Sequence, residues 1–203
     1  MPRKRKQSGQ RKPNKRLYIL CEGKKDKSEY AYLKAFIRNC SFKGSRVEVK
    51  VVDSDKNTGR ELVEEGRQKR EMPNDIIWVV YDKDGYTKHA ETFNLARDTN
   101  VKIAFSSISF EYWIPLHYEY TSRLFSCSEK LIRYLKRKKY IDYSKSSTAI
   151  FDETKHLLGV AKQNAKKIQK RQVDGNPERT PVYKFNPYTN MHELIEEIES
   201  LQN

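Results

Sequence analysis

The sequence predicts an α/β fold, a four-strand parallel sheet flanked by helices and followed by a helical extension, and three observations carry that expectation. Ile76-Ile-Trp-Val-Val80 is an unbroken apolar run rich in β-branched residues, which suits a central strand covered on both faces. Three further short apolar runs alternate with amphipathic stretches to give a β-α-β-α-β-α-β series, and such alternation implies parallel strands with right-handed crossovers. Past residue 118 the apolar spacing is helical and the remaining faces are basic. At 203 residues the chain is long enough for one well-buried core with a small appendage.

Met1 to Arg16 is polar, basic and interrupted by Pro2 and Pro13, so it cannot bury enough apolar surface to order itself and is expected to be a disordered arm. Leu17-Tyr-Ile-Leu-Cys21 is the first expected strand, with Glu22 at its end. Asp26 followed by Glu29 reads as a capping-box relative for a helix whose stripe is Tyr30, Leu33, Ile37 and Cys40. Val47 to Val52 alternates as the second strand. Thr58 and Glu61 form a cleaner capping box, opening a helix that turns Leu62, Val63 and Gly66 to the sheet. The Ile76–Tyr81 strand follows, then a helix over about 87–98 and a fourth strand over 101–105.

After the sheet, Ser109 caps an expected helix through His117 that Pro115 kinks. Ser126 and Glu129 cap a second helix with Leu131, Tyr134 and Leu135 on one side. Ile150, Thr154, Leu157, Ala161, Ala165 and Ile168 keep helical spacing through a long third one. Residues 173–190, with Gly175 and three prolines, read as a loop or extended crossing. Asn190 and Glu193 cap a last helix that docks through Leu194, Ile198 and Leu201. The expected organisation is an arm over 1–16, a core over 17–118 and a basic helical extension over 119–203 that packs back on the core.

Charge narrows the partners. The chain carries a formal +14, and residues 1–16 hold eight Lys or Arg and no acid, so +6 stays on the rest once those eight are removed. A polyanion is the natural partner, nucleic acid before an anionic membrane. Cys21, Cys40 and Cys127 match no zinc or disulfide framework, which points to a reducing, cytoplasmic setting. No apolar run approaches a membrane span and none follows the basic start as in a signal peptide. Self-association is left open.

Asp82 and Asp84 fall beyond the end of the third strand, where an open α/β sheet binds its ligands, and at i and i+2 they point to one side. Two such carboxylates need a cation or a proton between them. The plain alternative is a solvated turn, since Asp-x-Asp-Gly is ordinary turn chemistry. If the strand order is 2-1-3-4, Glu22 joins them, because the first and third strands are then neighbours.

Four landmarks in order, Leu17-Tyr-Ile-Leu-Cys-Glu-Gly23, Trp78-Val-Val-Tyr-Asp-Lys-Asp-Gly85, Ser109-Phe-Glu-Tyr-Trp-Ile-Pro-Leu-His117 and Asn186-Pro-Tyr-Thr-Asn-Met-His-Glu-Leu194, resemble the RloB-like proteins. Pro115 stands where the family's usual form carries an aliphatic residue. The resemblance implies a Toprim-like core, with Glu22 matching the glutamate after the first strand and Asp82 and Asp84 the Asp-x-Asp after the third. It also implies Mg²⁺-dependent cleavage of nucleic-acid phosphodiesters in prokaryotic antiphage defence, with an ATPase as partner protein.

The residues support that chemistry without the family. Hard carboxylate oxygens suit Mg²⁺, with Mn²⁺ as the alternative, and Mg²⁺ takes one or two carboxylates plus substrate phosphate. Asp82 and Asp84 are the expected ligands, while Glu22 either ligates a second ion or accepts a proton from the attacking water. Glu111 reaches the same rim, as a ligand or as an acid on a helical first turn. Lys24, Lys25 and Arg60 sit at helix starts, where backbone N–H groups and positive charge favour phosphate, or else are ordinary solvated cations. His117 reads first as structural and second as a phosphate contact. Tyr134, Tyr140 and Tyr143 among Lys136 to Lys139 are base-stacking candidates or amphipathic helix edges.

Two rival functions stand beside the nuclease, which acts on DNA or RNA. Asp82-Lys-Asp84-Gly-Tyr-Thr87 faintly resembles the nucleophile loop of haloacid-dehalogenase-type phosphatases, but the threonine is one residue too far along and the loop follows the third strand instead of the first. The other rival is a non-catalytic nucleic-acid-binding or regulatory subunit of an ATPase complex. An EF-hand fails because Gly85 is fourth in the loop.

Overall fold

The structure is a computed structural model that describes residues 15–22, 27–42, 46–142 and 149–202. Its sheet orders the strands β2-β1-β3-β4-β5. β1 (Lys15–Cys21), β2 (Val47–Asp53), β3 (Ile76–Asp82) and β4 (Lys102–Ser107) are parallel. β5 (Tyr188–Thr189) adds an antiparallel edge, pairing Ser106 with Thr189 and Ser107 with Tyr188. The sheet therefore has five strands, not four, and the fifth lies inside the stretch expected to be a loop or extended crossing. The 2-1-3-4 order holds, so β1 and β3 are neighbours.

The helices are α1 (Ser28–Asn39), α2 (Gly59–Lys69), α3 (His89–Asp98), α4 (Ser128–Lys138), α5 (Ile150–Thr154), α6 (Leu158–Asp174) and α7 (Met191–Ser200). Alternate strand residues feed two cores, as the two-residue period of a strand requires. Leu17, Ile19, Trp78, Val80 and Ala104 meet α1 and α4 to α7 on one face. Tyr18, Leu20, Ile77, Val79, Tyr81 and Phe105 meet α2 and α3 on the other. Leu131, Phe151, Ala165, Ile195 and Ile198 share the first core with residues of the sheet, so the extension and the sheet bury one continuous apolar surface. Each buried Leu, Ile or Phe among them contributes roughly 1.5–3 kcal/mol relative to exposure.

Thr58 caps α2 as its sequence implies, accepting the N–H of Glu61 at 3.3 Å. α2 then lies close on the sheet, because a Cβ on Gly66 would stand 2.9 Å from a methyl of Ile77. At the other end of the chain, Asn190 does not cap α7 with its side chain. Its Oδ1 accepts the N–H of Phe105 at 2.7 Å and its Nδ2 donates to the Ile103 carbonyl at 2.9 Å. The amide side chain thereby completes hydrogen bonds at the edge of β4 that a two-residue strand cannot reach.

Several boundaries differ from expectation for identifiable reasons. Lys15 and Arg16 begin β1 instead of ending an arm, since Arg16 is held by Glu71 at 2.6 Å and Asp75 at 3.3 Å; residues 1–14 lie outside the described residues. Residues 110–113 and 115–117 form two tight 3-10 turns instead of one kinked α-helix, as a ring without an N–H and with fixed φ favours at Pro115. α4 starts at Ser128 after Cys127, and Ser126 does not cap it. The long helix breaks at 155–157 into α5 and α6, and α6 continues to Asp174, past the expected start of the loop. α1 starts after Lys27, which offers no side-chain cap, and Asp26 lies outside the described residues. Among the described residues no helix is long and apolar enough to cross a membrane, and the three cysteines are free thiols.

Candidate active site

A parallel sheet puts all its strand C-termini on one edge, and here that edge gathers acids. Glu22 follows β1 and Asp82 ends β3, joined across the strands by a backbone bond from the Glu22 N–H to the Val80 carbonyl at 3.1 Å. Asp84 stands on a turn closed by the Tyr86 N–H to the Lys83 carbonyl at 3.3 Å. Gly85 occupies the third position with φ +73°, a left-handed conformation that a type II turn reserves for glycine. The Asp84 N–H donates to the Ile108 carbonyl at 3.2 Å, tying this turn to the end of β4. Glu111 enters from the first 3-10 turn after β4.

The four expected acids thus line one pocket of about 140 Å³, together with Lys27, Ser28, Glu29, Asn57, Ser109 and Ser128. Hydroxyls hold the carboxylates. Ser109 donates to Glu111 Oε2 at 2.5 Å, Ser28 stands 3.3 Å from both Glu111 Oε1 and Glu29 Oε2, and Ser128 donates to Asp84 Oδ2 at 2.7 Å. Glu29 was expected only as a capping residue. It is a fifth carboxylate, buried, and it comes from the first turn of α1, which starts at the same edge where β1 ends. That position in the first helical turn, seven residues after Glu22 in a β-α unit, is the signal that could have found it.

Electrostatically the pocket is frustrated. Burial raises the Asp82 carboxyl well above its usual range, and Glu29, Glu111 and Glu22 push it further in the same direction. Glu29 is pushed up to about 7, first by burial and then by Glu111 and Glu22. Glu22 is also raised by burial, against a lowering by the backbone N–H of Asp82 and by Lys27. Carboxylates crowded this way keep a proton or wait for a cation. Among the described residues no three His, Cys, Asp or Glu side chains already form a closed metal-binding cluster.

The sequence model of a family described as RloB-like protein matches residues 17–198, most of the chain and all five acids. This chain belongs to the RloB-like family. No curated protein and no solved structure matches it.

Of the other residues expected at the site, this RloB-like protein places two elsewhere. His117 is fully buried: Trp113 O lies 3.1 Å and Ile114 O 3.3 Å from Nδ1, and the Tyr32 hydroxyl lies 3.2 Å from Nε2. Both nitrogens face protein groups and the side chain is turned into the core, away from the acid pocket. Arg60 lies on exposed α2 in ion pairs with Glu64 at 3.3 Å and Glu91 at 3.1 Å, and it does not line the pocket. Lys24 and Lys25 lie outside the described residues. Lys27 is the cation that the structure does place on the pocket wall. Trp78 and Trp113 are core residues, Tyr134 is buried against α4's neighbours, and Tyr143 lies outside the described residues.

Proposed function

We propose that this RloB-like protein is a divalent-metal-dependent nuclease with a Toprim-like catalytic core. The observation that carries the reading is the convergence of Glu22, Asp82, Asp84 and Glu111, with Glu29, at the ends of three adjacent parallel strands. The donor set fits Mg²⁺ or Mn²⁺: every carboxylate is a hard oxygen ligand, and the crowding that raises Asp82 and Glu29 is relieved by positive charge. Asp82 and Asp84 would hold the ion, with Glu22 or Glu111 as further ligands. When bound, such an ion polarises a phosphoryl oxygen and makes its water a nucleophile near neutral pH.

The remaining steps belong to this chain's own residues. Lys27 supplies a cation to an incoming phosphate, beside the hydroxyls of Ser28 and Ser128. Glu29, raised toward neutrality, or Glu22 accepts the proton of the attacking water, since a general base works best with a pKa near the operating pH. Phosphodiesters of DNA or RNA are the substrates that match a basic protein of this kind. The defence setting and an ATPase partner come with the family resemblance.

The test is cleavage of DNA, tRNA and ribosomal RNA by the full chain with Mg²⁺ or Mn²⁺, with and without the partner ATPase. Cleavage lost in Asp82→Asn and Asp84→Asn supports the reading. Equal biological protection by wild type and Asp82→Asn would instead leave a non-catalytic binding subunit. The phosphatase reading has no support in the pocket, because Asp82 ends the third strand in chain order and Thr87 does not line the site.

A further inference from the structure

Several cations in and beside the helical half are paired with acids. Lys102 meets Glu197, Lys138 meets Glu119, Lys162 meets Glu199 and Lys166 meets Glu196. Arg123, Lys130, Arg133 and Arg137 are exposed, and like Lys167, Lys170 and Arg171 none of them forms a salt bridge with a carboxylate among the described residues. These four line one groove of about 370 Å³ with Leu124, Phe125 and Tyr134. Lys130, Arg133 and Arg137 are spaced i, i+3 and i+7, so they form one stripe along α4, about 10 Å long at 1.5 Å per residue. Like charges held side by side raise the energy of the free protein and are relieved by a polyanion.

The groove also offers something to bases. Leu124 is 69% exposed at its wall. The Arg123 guanidinium carbon lies 5.8 Å from the Phe125 ring centre and 5.5 Å from that of Tyr134, and Arg137 lies 5.8 Å from Tyr134. Guanidiniums packed over rings beside an exposed apolar side chain make a surface for π-faces, and those faces are open only in unpaired strands. The stripe is aimed, too. α4 begins at Ser128, whose hydroxyl is bonded to Asp84 in the acid pocket, so the groove and the pocket share one helix.

We propose that the groove between residues 123–125 and α4 holds the phosphate backbone of a single-stranded nucleic acid and leads that strand to the acid pocket. The direction of travel rests on the nuclease reading, whereas the affinity of the groove for the strand does not. A second basic hollow, at Lys167, Lys170 and Arg171 near the end of α6, contains Asp174 and lies on a helix that gives no residue to the acid pocket, which makes it the control.

The experiment is fluorescence anisotropy of labelled single-stranded DNA and RNA oligonucleotides and of a duplex, titrated with the full chain in EDTA so that no cleavage occurs. Lys130→Glu/Arg133→Glu is expected to lose at least tenfold in strand affinity, and to reduce the slope of log affinity against log salt by about 1.4, two contacts at roughly 0.7 each. Lys167→Glu/Lys170→Glu makes the same change in net charge and is expected to stay within twofold of wild type. Melting curves check the fold, and Lys130→Gln/Arg133→Gln, expected to lose about threefold, serves if the reversal does not fold. Equal loss in both double variants, tighter binding of duplex than of strand, or no binding by wild type overturns the proposal. Because the ion is chelated, a failure here leaves the cleavage result standing, and a failure of cleavage leaves this one standing.

Discussion

Asp75 and Asp82 sit at opposite ends of the same stretch of chain, seven residues apart, and their surroundings could hardly differ more. Asp75, just before β3, accepts the N–H groups of Glu71 at 3.0 Å and Met72 at 2.8 Å and pairs with Arg16 at 3.3 Å. Its carboxyl is lowered despite the opposing effect of desolvation, because the backbone N–H groups and Arg16 outweigh it. Asp82, at the exit of β3, is raised by burial and by three other acids. One end of the strand spends its carboxylate on the fold, and the other stores unrelieved charge. A buried acid with partners is architecture, while a buried acid among acids is a candidate for chemistry.

The largest effect expected from this contrast is a difference of sign. Asp75→Ala leaves two backbone donors and Arg16 without their acceptor and should cost about 2–4 kcal/mol of stability in urea titrations. Asp82→Asn should raise the stability of the metal-free protein at neutral pH. A carboxyl whose folded pKa is raised contributes fully below its unfolded value near 3.9 and loses that contribution as pH rises, so a neutral isostere recovers it. Destabilisation by Asp82→Asn as large as that by Asp75→Ala would erase the contrast.

His117 sharpens the comparison from the side of a partnered neutral group. Burial lowers it to about 4, against a smaller raising by the carbonyls of Trp113 and Ile114. Its contribution is complete above the unfolded value near 6.5 and is lost as pH falls toward 4, which amounts to about 2 kcal/mol at pH 5. The difference in stability between wild type and His117→Gln should therefore narrow by that amount between pH 7 and pH 5. A difference that does not change with pH would mean that the ring is solvated and charged in the fold. The smallest effect is expected at Glu22. Burial raises it too, but Lys27 and the Asp82 N–H oppose the rise, so Glu22→Gln should stabilise the metal-free protein less than Asp82→Asn does in the same thermal melts.

Much of this was legible because it depends on local pattern. Short apolar runs such as Leu17–Cys21 and Ile76–Val80 read as buried strands, and the acids that follow them are fixed to the C-terminal edge once the strands are parallel. β5 was not legible, because two residues flanked by Pro187 carry no period and owe their pairing to Ser106, Ser107 and Asn190. Glu29 was obscured by a competing local role, since a glutamate in the first helical turn is a normal cap partner and only tertiary placement turns it toward Glu111. The fate of His117 likewise depended on Tyr32, 85 residues away in sequence. Arg60 does not line the pocket and stands instead in exposed ion pairs with Glu64, on its own helix, and Glu91, a partner on another element.

In the proposed nuclease reading, crowded carboxylates at the sheet edge bind a divalent cation and cleave nucleic acid. Its most direct test measures, on the same preparations of wild type and Asp82→Asn, the Mg²⁺-induced shift in melting temperature and the rate of oligonucleotide cleavage. Wild type should be stabilised by Mg²⁺ and should cleave, while Asp82→Asn should start from a higher metal-free melting temperature, lose most of the Mg²⁺ shift and fail to cleave. Equal Mg²⁺ shifts and equal cleavage in the two proteins would contradict the claim.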